Sequence, residues 1–331
     1  MRRSPRLVLR LAVVALVAAP ALSGPGPSTI PALAKGESSL AAASLRSTPL
    51  AVVAAAGDVA CDPGNPDFNH GKGRKDECHQ LATWHLMRSM RLDAVLPLGD
   101  LQYDDGSYGK YLRSYRASWG HADPIAHPVP GNHEYWASPR ARGYFDYFGS
   151  GAGTRSEGWY SFDLGSWHLV ALNSNCDLVG CERGSDQYGW LKADLGASAA
   201  TCTLAYFHHP RFSSGPHGGT NDVLPFWRLL YRSGADVVLS AHDHHYERFA
   251  RVTATGAKDR AYGIQSFVVG TGGAEHYWIE QVQPHSVVRS IRAFGVLRLK
   301  LFDGSWTWSF VPALDARFHD SGSLDCHGAP V

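Results

Sequence analysis

The 331-residue sequence lacks several features that would assign a function directly. Its six cysteines show no CxxC spacing, which argues against a zinc ribbon. The glycine cluster 270–273 is not followed by Lys-Ser or Lys-Thr, so it predicts a tight loop near the functional site rather than a phosphate-binding P-loop. A G-x-S-x-G nucleophile elbow is also absent, which argues against a serine triad on a strand-to-helix turn.

The sequence also has no large excess of positive or negative charge and no long apolar run. Residues 1–34 contain four arginines, an apolar run of about a dozen residues at 11–22, and A-x-A-like cleavage sites at 32–34 and 21–23. This layout predicts a secretory signal peptide, because a membrane-spanning helix needs about 20 apolar residues. Without it, 27 basic face 30 acidic residues, a net charge of −3. We therefore expect a secreted protein with no nucleic-acid partner and no stable membrane association.

All six cysteines follow residue 34, and an even number in an exported chain predicts disulfides. Six cysteines allow 15 pairings. Proximity favours Cys176–Cys181 across a short loop and Cys61–Cys78 across the loop 62–76. The remaining pair, Cys202–Cys326, would tie the C-terminal tail to a central strand.

After a linker at 35–48, short apolar runs alternate with amphipathic segments, which predicts a single α/β domain over 49–331 with more than one sheet. Buried strands are predicted at 50–56, 94–98, 203–207 and 236–240. Other strand-like runs lie at 159–164, 167–173, 264–269, 294–302 and 305–311. Asp303-Gly304 predicts a hairpin turn between the last two. Helices are predicted at 187–195, 223–231, 107–118 and along the threefold spacing of Cys78, Leu81, Trp84 and Met87.

Polar side chains cluster where the apolar runs end. The runs are followed by Asp58, by Asp100 with Tyr103, by Asn132 after the segment 127–130, by His208, and by His242 and His244. Because ligands bind at the carboxyl ends of strands in α/β sheets, we expect five strands to bring these side chains to one sheet edge. Oxygen and nitrogen donors of this kind suit Zn, Mn or Fe. Seven donors are too many for one ordinary site, whereas two metals can share a bridging carboxylate.

The order of these motifs resembles the calcineurin-like metallophosphoesterases, and Tyr103 with the segment 244–248 looks most like the purple acid phosphatase branch. The motifs are Asp58, GDLQY (99–103), GNHE (131–134), FHHP (207–210) and HDH (242–244). The resemblance implies an α/β fold in which two packed mixed β-sheets are flanked by helices, a four-layer α/β/β/α sandwich. It implies a metal-dependent phosphatase that hydrolyses small-molecule phosphate monoesters with a metal-bound hydroxide at a dinuclear centre. A phosphodiesterase on the same fold is the alternative, and a scaffold protein on a degenerate fold is the hypothesis from another class.

The resemblance also assigns roles to individual residues. It implies a first metal, Fe(III), held by Asp58, Asp100, Tyr103 and His244. It implies a second metal, Fe, Zn or Mn, held by Asp100, Asn132, His208 and His242. It casts His133 as the general acid that protonates the leaving alcohol, with Glu134 orienting it.

The sequence leaves the roles of two groups of residues open. His209 and His245 either line the pocket and contact phosphate or are solvated loop residues, and His217 is a weaker pocket candidate. Ala60 and Ala241 stand where the family usually has glycine, so an added methyl group is expected to shift the geometry slightly.

Overall fold

A computed structural model of the chain describes residues 48–314 and 317–330. The predicted signal peptide (1–34) and all but the last residue of the predicted linker (35–48) lie outside the described residues and stay predictions. In the part of the chain that the structure describes, no helix has the length and apolar character needed to span a bilayer.

The described residues form twelve strands and six α-helices, joined by short 3₁₀ turns. The strands are β1 (Ala51–Ala56), β2 (Ala94–Pro97), β3 (Tyr160–Leu164), β4 (Trp167–Ala171), β5 (Cys202–Tyr206), β6 (Val237–Ser240), β7 (Tyr246–Phe249), β8 (Gln265–Val269), β9 (Ser286–Ser290), β10 (Gly295–Phe302), β11 (Ser305–Pro312) and β12 (Ser321–Asp325). The helices are α1 (Gln80–Arg88), α2 (Tyr108–Arg113), α3 (Arg142–Phe148), α4 (Cys176–Val179), α5 (Asp186–Ala197) and α6 (Leu224–Arg232). The 3₁₀ turns are Asn69–Gly71, Tyr115–Ala117, Trp119–Ile125, His133–Tyr135 and Gly149–Ala152.

The strands form two mixed sheets, as predicted. The five-stranded sheet has the order β12-β11-β10-β1-β2, in which β1 pairs with β2 in parallel and with β10 antiparallel. The seven-stranded sheet has the order β3-β4-β5-β6-β8-β7-β9, with β4, β5, β6 and β8 parallel and the others antiparallel. The predicted hairpin joins β10 to β11, and Gly304 at its turn has a φ of 72°.

Side chains of the central strands alternate between two apolar cores. Leu204 of β5 and Leu239 of β6 belong to the core that also contains residues of β1, β2, β10 and β11. Their neighbours Ala205 and Val238 point to a second core, which α5 and α6 cover with residues such as Trp227. Since successive strand residues face opposite sides, one core lies between the sheets and the other beneath the helices. The expected architecture of two packed sheets flanked by helices is confirmed.

Several predicted elements differ from the structure for physical reasons. The segment 127–130 is no regular strand: Pro128 and Pro130 lack N–H groups, and only isolated parallel bridges connect the region to β2. Helix α1 begins at Gln80 rather than at Cys78, whose φ of 64° is incompatible with a right-handed helix. The predicted helix 107–118 divides into α2 and a 3₁₀ turn.

All three predicted disulfides are present. Cys61–Cys78, Cys176–Cys181 and Cys202–Cys326 have Cα–Cα distances of 5.3, 5.0 and 5.6 Å. Since β12 is an edge strand of the five-stranded sheet and β5 lies inside the other, Cys202–Cys326 links the two sheets.

Candidate metal centre

The predicted ligands follow strand ends, but they come from two sheets. Asp58 and Asp100 follow β1 and β2, whereas His208 and His242 follow β5 and β6. The expectation that five strands of one sheet edge supply them is therefore wrong. The carboxyl ends of the two sheets meet here, since His208 Nδ1 donates to the carbonyl of Leu98 at 2.9 Å.

Three of the predicted ligands have a left-handed backbone. The φ angles are 58° at Asp58, 49° at Asp100 and 72° at His242. This conformation is unfavourable by about 1–2 kcal/mol for a residue with a Cβ atom. Hydrogen bonds hold it in place: the N–H of His242 donates to Asp58 Oδ2 at 3.0 Å. Backbone strain of this kind concentrates at functional sites, because the surrounding structure must enforce it.

The glycine cluster 270–273 packs against Asp58, as the sequence predicts. The N–H of Gly272 donates to the carbonyl of Gly57 at 2.9 Å, and that of Ala274 donates to the carbonyl of Asp58 at 3.0 Å. A Cβ atom on Gly270 would lie 2.7 Å from Asp58 Oδ2. Only glycine therefore allows this backbone to approach the carboxylate so closely.

One half of the centre is formed by Asp58, Tyr103 and His244, all buried. The Tyr103 hydroxyl lies 2.9 Å from both Asp58 Oδ1 and His244 Nε2, and 3.4 Å from Asp100 Oδ2. His244 Nδ1 donates to the carbonyl of Glu275 at 2.7 Å, which leaves Nε2 facing the phenol. Burial and Asp58 raise the pKa of Tyr103 well above its usual range, so a phenolate requires a strongly charged cation beside it.

The other half joins Asp100 to two histidines. His208 Nε2 lies 3.1 Å from Asp100 Oδ2 and 3.2 Å from His242 Nδ1. Burial would raise the pKa of Asp100, but His208 holds it well below its usual range. Burial and the charge of His208 lower the pKa of His242 well below 6.5. A lowered pKa favours the neutral form, in which imidazole binds a metal.

Asn132 completes this half of the centre. Its side chain lines the same cavity as Asp100 and His242, and its Oδ1 is buried without a hydrogen-bond partner. A buried acceptor without a partner is unfavourable, which indicates a missing ligand such as a cation. Ligand atoms of Asp58, Asp100 and His208 lie within 4.8 Å of one another, so the donors fit a metal site.

His133 sits at the cavity with a different set of contacts. Its Nδ1 donates to the carbonyl of Asp104, and its Nε2 lies 3.8 Å from Asp100 Oδ2. Its ring packs between Tyr103 and Trp136, at centroid distances of 4.4 and 3.7 Å. The expectation that Glu134 orients His133 is wrong: the carbonyl of Asp104 does so, while the Glu134 carboxylate accepts other hydrogen bonds.

The three histidines whose roles the sequence left open have distinct positions. His245 is fully buried, with Nε2 3.1 Å from Glu247 Oε2, so it neither lines the cavity nor meets solvent. His209 Nδ1 lies 2.9 Å from Ser174 Oγ, its ring centroid is 4.5 Å from that of His242, and burial lowers its pKa to about 3. His217 lines the cavity and is partly exposed.

Residues that sequence reasoning missed complete the cavity wall. Tyr277 stacks on His244 with centroids 3.9 Å apart, and Trp136 covers His133 while remaining 61% exposed. Further lining side chains are Asp62, Asn65, Glu77, Asp104 and Glu275. Tyr277 follows the glycine cluster and Trp136 follows the GNHE motif, so their proximity to motifs was the available signal.

Comparisons with known proteins agree with this geometry. The profile of the family described as calcineurin-like phosphoesterase matches residues 52–246. The chain belongs to this family. Membership implies a dinuclear metal centre, and the clustered donors at the strand ends of the two sheets fit such a centre.

Curated relatives of this phosphoesterase carry a more specific name. Purple acid phosphatase 18 of Arabidopsis thaliana is 31% identical over 239 residues, which cover 65% of this chain and 52% of the relative. Purple acid phosphatase 22 of the same plant is 31% identical over 283 residues, covering 73% and 58%. The chain thus spans little more than half the length of the curated relatives that it matches.

Solved structures support the fold. A purple acid phosphatase from yellow lupin (Lupinus luteus) seeds matches with a TM-score of 0.63 at 18% identity, covering 84% of this chain and 54% of that one. A dimetal phosphatase from Danio rerio matches with a TM-score of 0.58 at 16% identity, covering 84% and 99%.

The two departures from the family pattern replace no predicted ligand. Neither Ala60 nor Ala241 has a positive φ, so the backbone does not require glycine at either place. The Ala241 methyl group faces Gly57, where an added Cβ atom would lie 2.5 Å from it. Glycine at 57 therefore accommodates the alanine at 241.

Proposed function

We propose that this phosphoesterase is a secreted phosphatase that hydrolyses phosphate monoesters at a dinuclear metal centre. The convergence of seven side chains at the meeting strand ends carries the proposal. They are Asp58, Asp100, Tyr103, Asn132, His208, His242 and His244. The unpartnered Oδ1 of Asn132 and the phenol of Tyr103 between two further donors support metal binding in particular.

In this proposal the donors form two sets that share Asp100. The first set, for Fe(III), is Asp58, Asp100, Tyr103 and His244. The second set, for Fe, Zn or Mn, is Asp100, Asn132, His208 and His242. When bound, such metals supply Lewis-acid charge for phosphoryl oxygens and make water more acidic. The chain orients the donors: the carbonyls of Leu98 and Glu275 fix the rings of His208 and His244.

His133 supplies the proton for the leaving group in this proposal. The Asp104 carbonyl fixes its Nδ1 as a donor and sets the ring beside the cavity, where its side chain is 13% exposed. A protonated imidazole here can give its proton to the departing alcohol oxygen. Trp136, whose ring centroid lies 3.7 Å from that of His133, then offers an aromatic surface to the leaving group.

The Asp100→Ala variant tests the dinuclear proposal. It removes the ligand common to both sets, so we expect loss of both metals and of p-nitrophenyl phosphate hydrolysis, with the fold retained. Asp62→Ala is the matched control, because Asp62 lines the same cavity but pairs with Lys110. Metal analysis and circular dichroism accompany the assay. Near-normal activity of Asp100→Ala would contradict the proposal.

The same assay separates the alternatives. A phosphomonoesterase should prefer p-nitrophenyl phosphate to bis(p-nitrophenyl) phosphate, and the reverse preference would make the chain a phosphodiesterase. Wild-type protein with neither metal nor activity would favour a scaffold on this fold. Secretion is supported by the three disulfides, which persist in oxidising compartments.

A further inference from the structure

Glu134, the last residue of the GNHE motif, is a buried carboxylate with five hydrogen-bond donors around it. It is 1% exposed. Its Oε2 accepts from the N–H groups of Asp100 at 2.9 Å and Gly131 at 2.7 Å. Its Oε1 accepts from the N–H groups of Leu101 at 3.0 Å and Gln102 at 3.4 Å, and from the Tyr111 hydroxyl at 2.9 Å.

Four of these donors are backbone N–H groups from two loops that both carry predicted ligands, and the fifth, the Tyr111 hydroxyl, comes from α2. Residues 100–102 follow β2 and lead to Tyr103, whereas Gly131 directly precedes Asn132. The left-handed backbone of Asp100 turns three successive N–H groups towards one carboxylate. Successive N–H groups in such a turn form an anion-binding nest. Here the anion is a side chain of the same chain, and it joins the two loops.

The consequence for Asp100 is a fixed side chain. Glu134 holds its N–H, the N–H of Val59 donates to its carbonyl at 2.9 Å, and the N–H of His133 donates to its Oδ1 at 2.9 Å. Oδ2 is left to face His208 and Tyr103. A methyl group on Gly131 would overlap the carboxylate of Asp100, so the two loops are in direct contact.

We propose that Glu134 is a positioning residue that holds the bridging carboxylate of Asp100 in the geometry for metal binding. This inference rests on the proposed dinuclear site. Both oxygens of Glu134 face only hydrogen-bond donors, four backbone N–H groups and one hydroxyl. A carboxylate, which can accept at both oxygens, satisfies all of them.

Glu134→Gln is the sharpest variant, because it keeps size and shape but turns an NH₂ group towards backbone N–H groups. We expect its metal affinity, measured by chelator competition, to fall by about 10–100-fold, as for other residues that orient ligands. With excess metal, kcat should stay low at little-changed KM. Tyr111→Phe is the matched control: it removes one donor to the same carboxylate but leaves the loops joined, and its affinity should stay near that of the wild type.

A merely structural role predicts something else: lower melting temperature of the metal-free variant, with unchanged metal affinity of the folded protein. That result would overturn the inference. If Glu134→Gln does not fold, Glu134→Asp is the second variant, because it keeps the carboxylate but shortens its reach. Wild-type metal affinity in Glu134→Asp would also overturn the inference. Wild-type protein that binds two metals but hydrolyses no phosphoester would instead overturn the proposed function alone.

Discussion

Among the histidines of the candidate metal centre, His133 differs in what its ring nitrogens contact. His208 and His244 each place Nδ1 on a backbone carbonyl and direct Nε2 at a carboxylate, 3.1 and 3.3 Å away. His133 also places Nδ1 on a carbonyl, but its Nε2 is 3.8 Å from the nearest carboxylate oxygen and beside the cavity. This difference supports the proposal that the first two rings bind metal and that the third donates a proton.

Replacing His133 with alanine should therefore lower kcat by about 10²–10⁴-fold. The metal content should stay unchanged, because all seven proposed ligands remain. The loss should be smaller for p-nitrophenyl phosphate than for an alkyl phosphate, since a good leaving group needs less protonation. His217→Ala, in the same cavity, is the control and should affect both substrates equally. Equal losses for both substrates in His133→Ala would argue against the general-acid role.

Tyr103 gives a prediction that concerns the metal itself. Its phenol is held between Asp58 and His244, and a phenolate on Fe(III) absorbs visible light. Iron-loaded protein should be pink to violet, and Tyr103→Phe should remove the band while the other six ligands stay in place. Tyr277→Phe is the matched control, because Tyr277 only stacks on His244 and its loss should preserve the colour. Colourless wild-type protein with two divalent metals would contradict the assignment of Fe(III), but it would leave the assignment to the phosphoesterase family unchanged.

The role of Glu134 could not be predicted from the sequence, although the ligand motifs could. A ligand motif is local: a glycine and a polar residue after an apolar run already place a donor at a strand end. The donors to Glu134 at 100–102 lie more than 30 positions earlier in the chain. Only the folded backbone shows that they face the same carboxylate.

At the scale of elements, a histidine clamp joins β3, β4 and α5 on the seven-stranded sheet. His168 of β4 places Nδ1 2.8 Å from Asp163 of β3 and Nε2 2.9 Å from Asp194 of α5. Asp194 also accepts from Ser161 Oγ at 2.7 Å. Asp194, aided by Asp163, raises the pKa of His168 above 6.5, although burial opposes it.

This clamp makes stability depend on pH in a defined direction. The folded state binds the proton of His168 more tightly than the unfolded chain does. The contribution of the clamp to the free energy of unfolding is therefore fully present below about pH 6.5. This contribution is lost as the pH rises through the raised pKa of His168 in the folded state. Urea unfolding should therefore show a larger stability gap between wild type and His168→Gln at pH 5.5 than at pH 9. A gap that does not narrow at the higher pH would contradict the clamp.

The elements that the sequence predicted are those with strong apolar patterns. Strands such as β5 and β6 are buried along their whole length, so their apolar runs are unbroken. Strand β12 has the sequence SGSLD and alternates between exposed and half-buried positions at a sheet edge. Its pairing with β11 decides its conformation more than its own residues do, and for that reason the sequence did not predict it.

Across the whole molecule, two contacts tie the C-terminal segment to both sheets. Asp320 accepts from Tyr246 Oη at 2.6 Å and Arg248 Nε at 2.7 Å on β7, and from Trp308 Nε1 at 3.2 Å on β11. Cys202–Cys326 makes a covalent link between β5 and the residue after β12. The sequence predicted the disulfide by pairing cysteines, but not the Asp320 contacts, since they depend on how the sheets pack.

Of the three disulfides, Cys202–Cys326 should therefore contribute most to the stability of the fold. In the chain-entropy model its sequence separation of 124 corresponds to about 5 kcal/mol, against about 2 kcal/mol for Cys176–Cys181 with a separation of 5. At about 2 °C per kcal/mol for a domain of this size, the Cys202→Ala/Cys326→Ala variant should melt about 10 °C lower than the wild type.

The Cys176→Ala/Cys181→Ala variant is the matched control for that experiment and should melt only about 4 °C lower. Calorimetry of the metal-free proteins measures the difference without a contribution from bound metal. A larger loss in the control than in the Cys202→Ala/Cys326→Ala variant would contradict the prediction. The link between the sheets would then add little beyond the contacts of Asp320 and the pairing of β12 with β11.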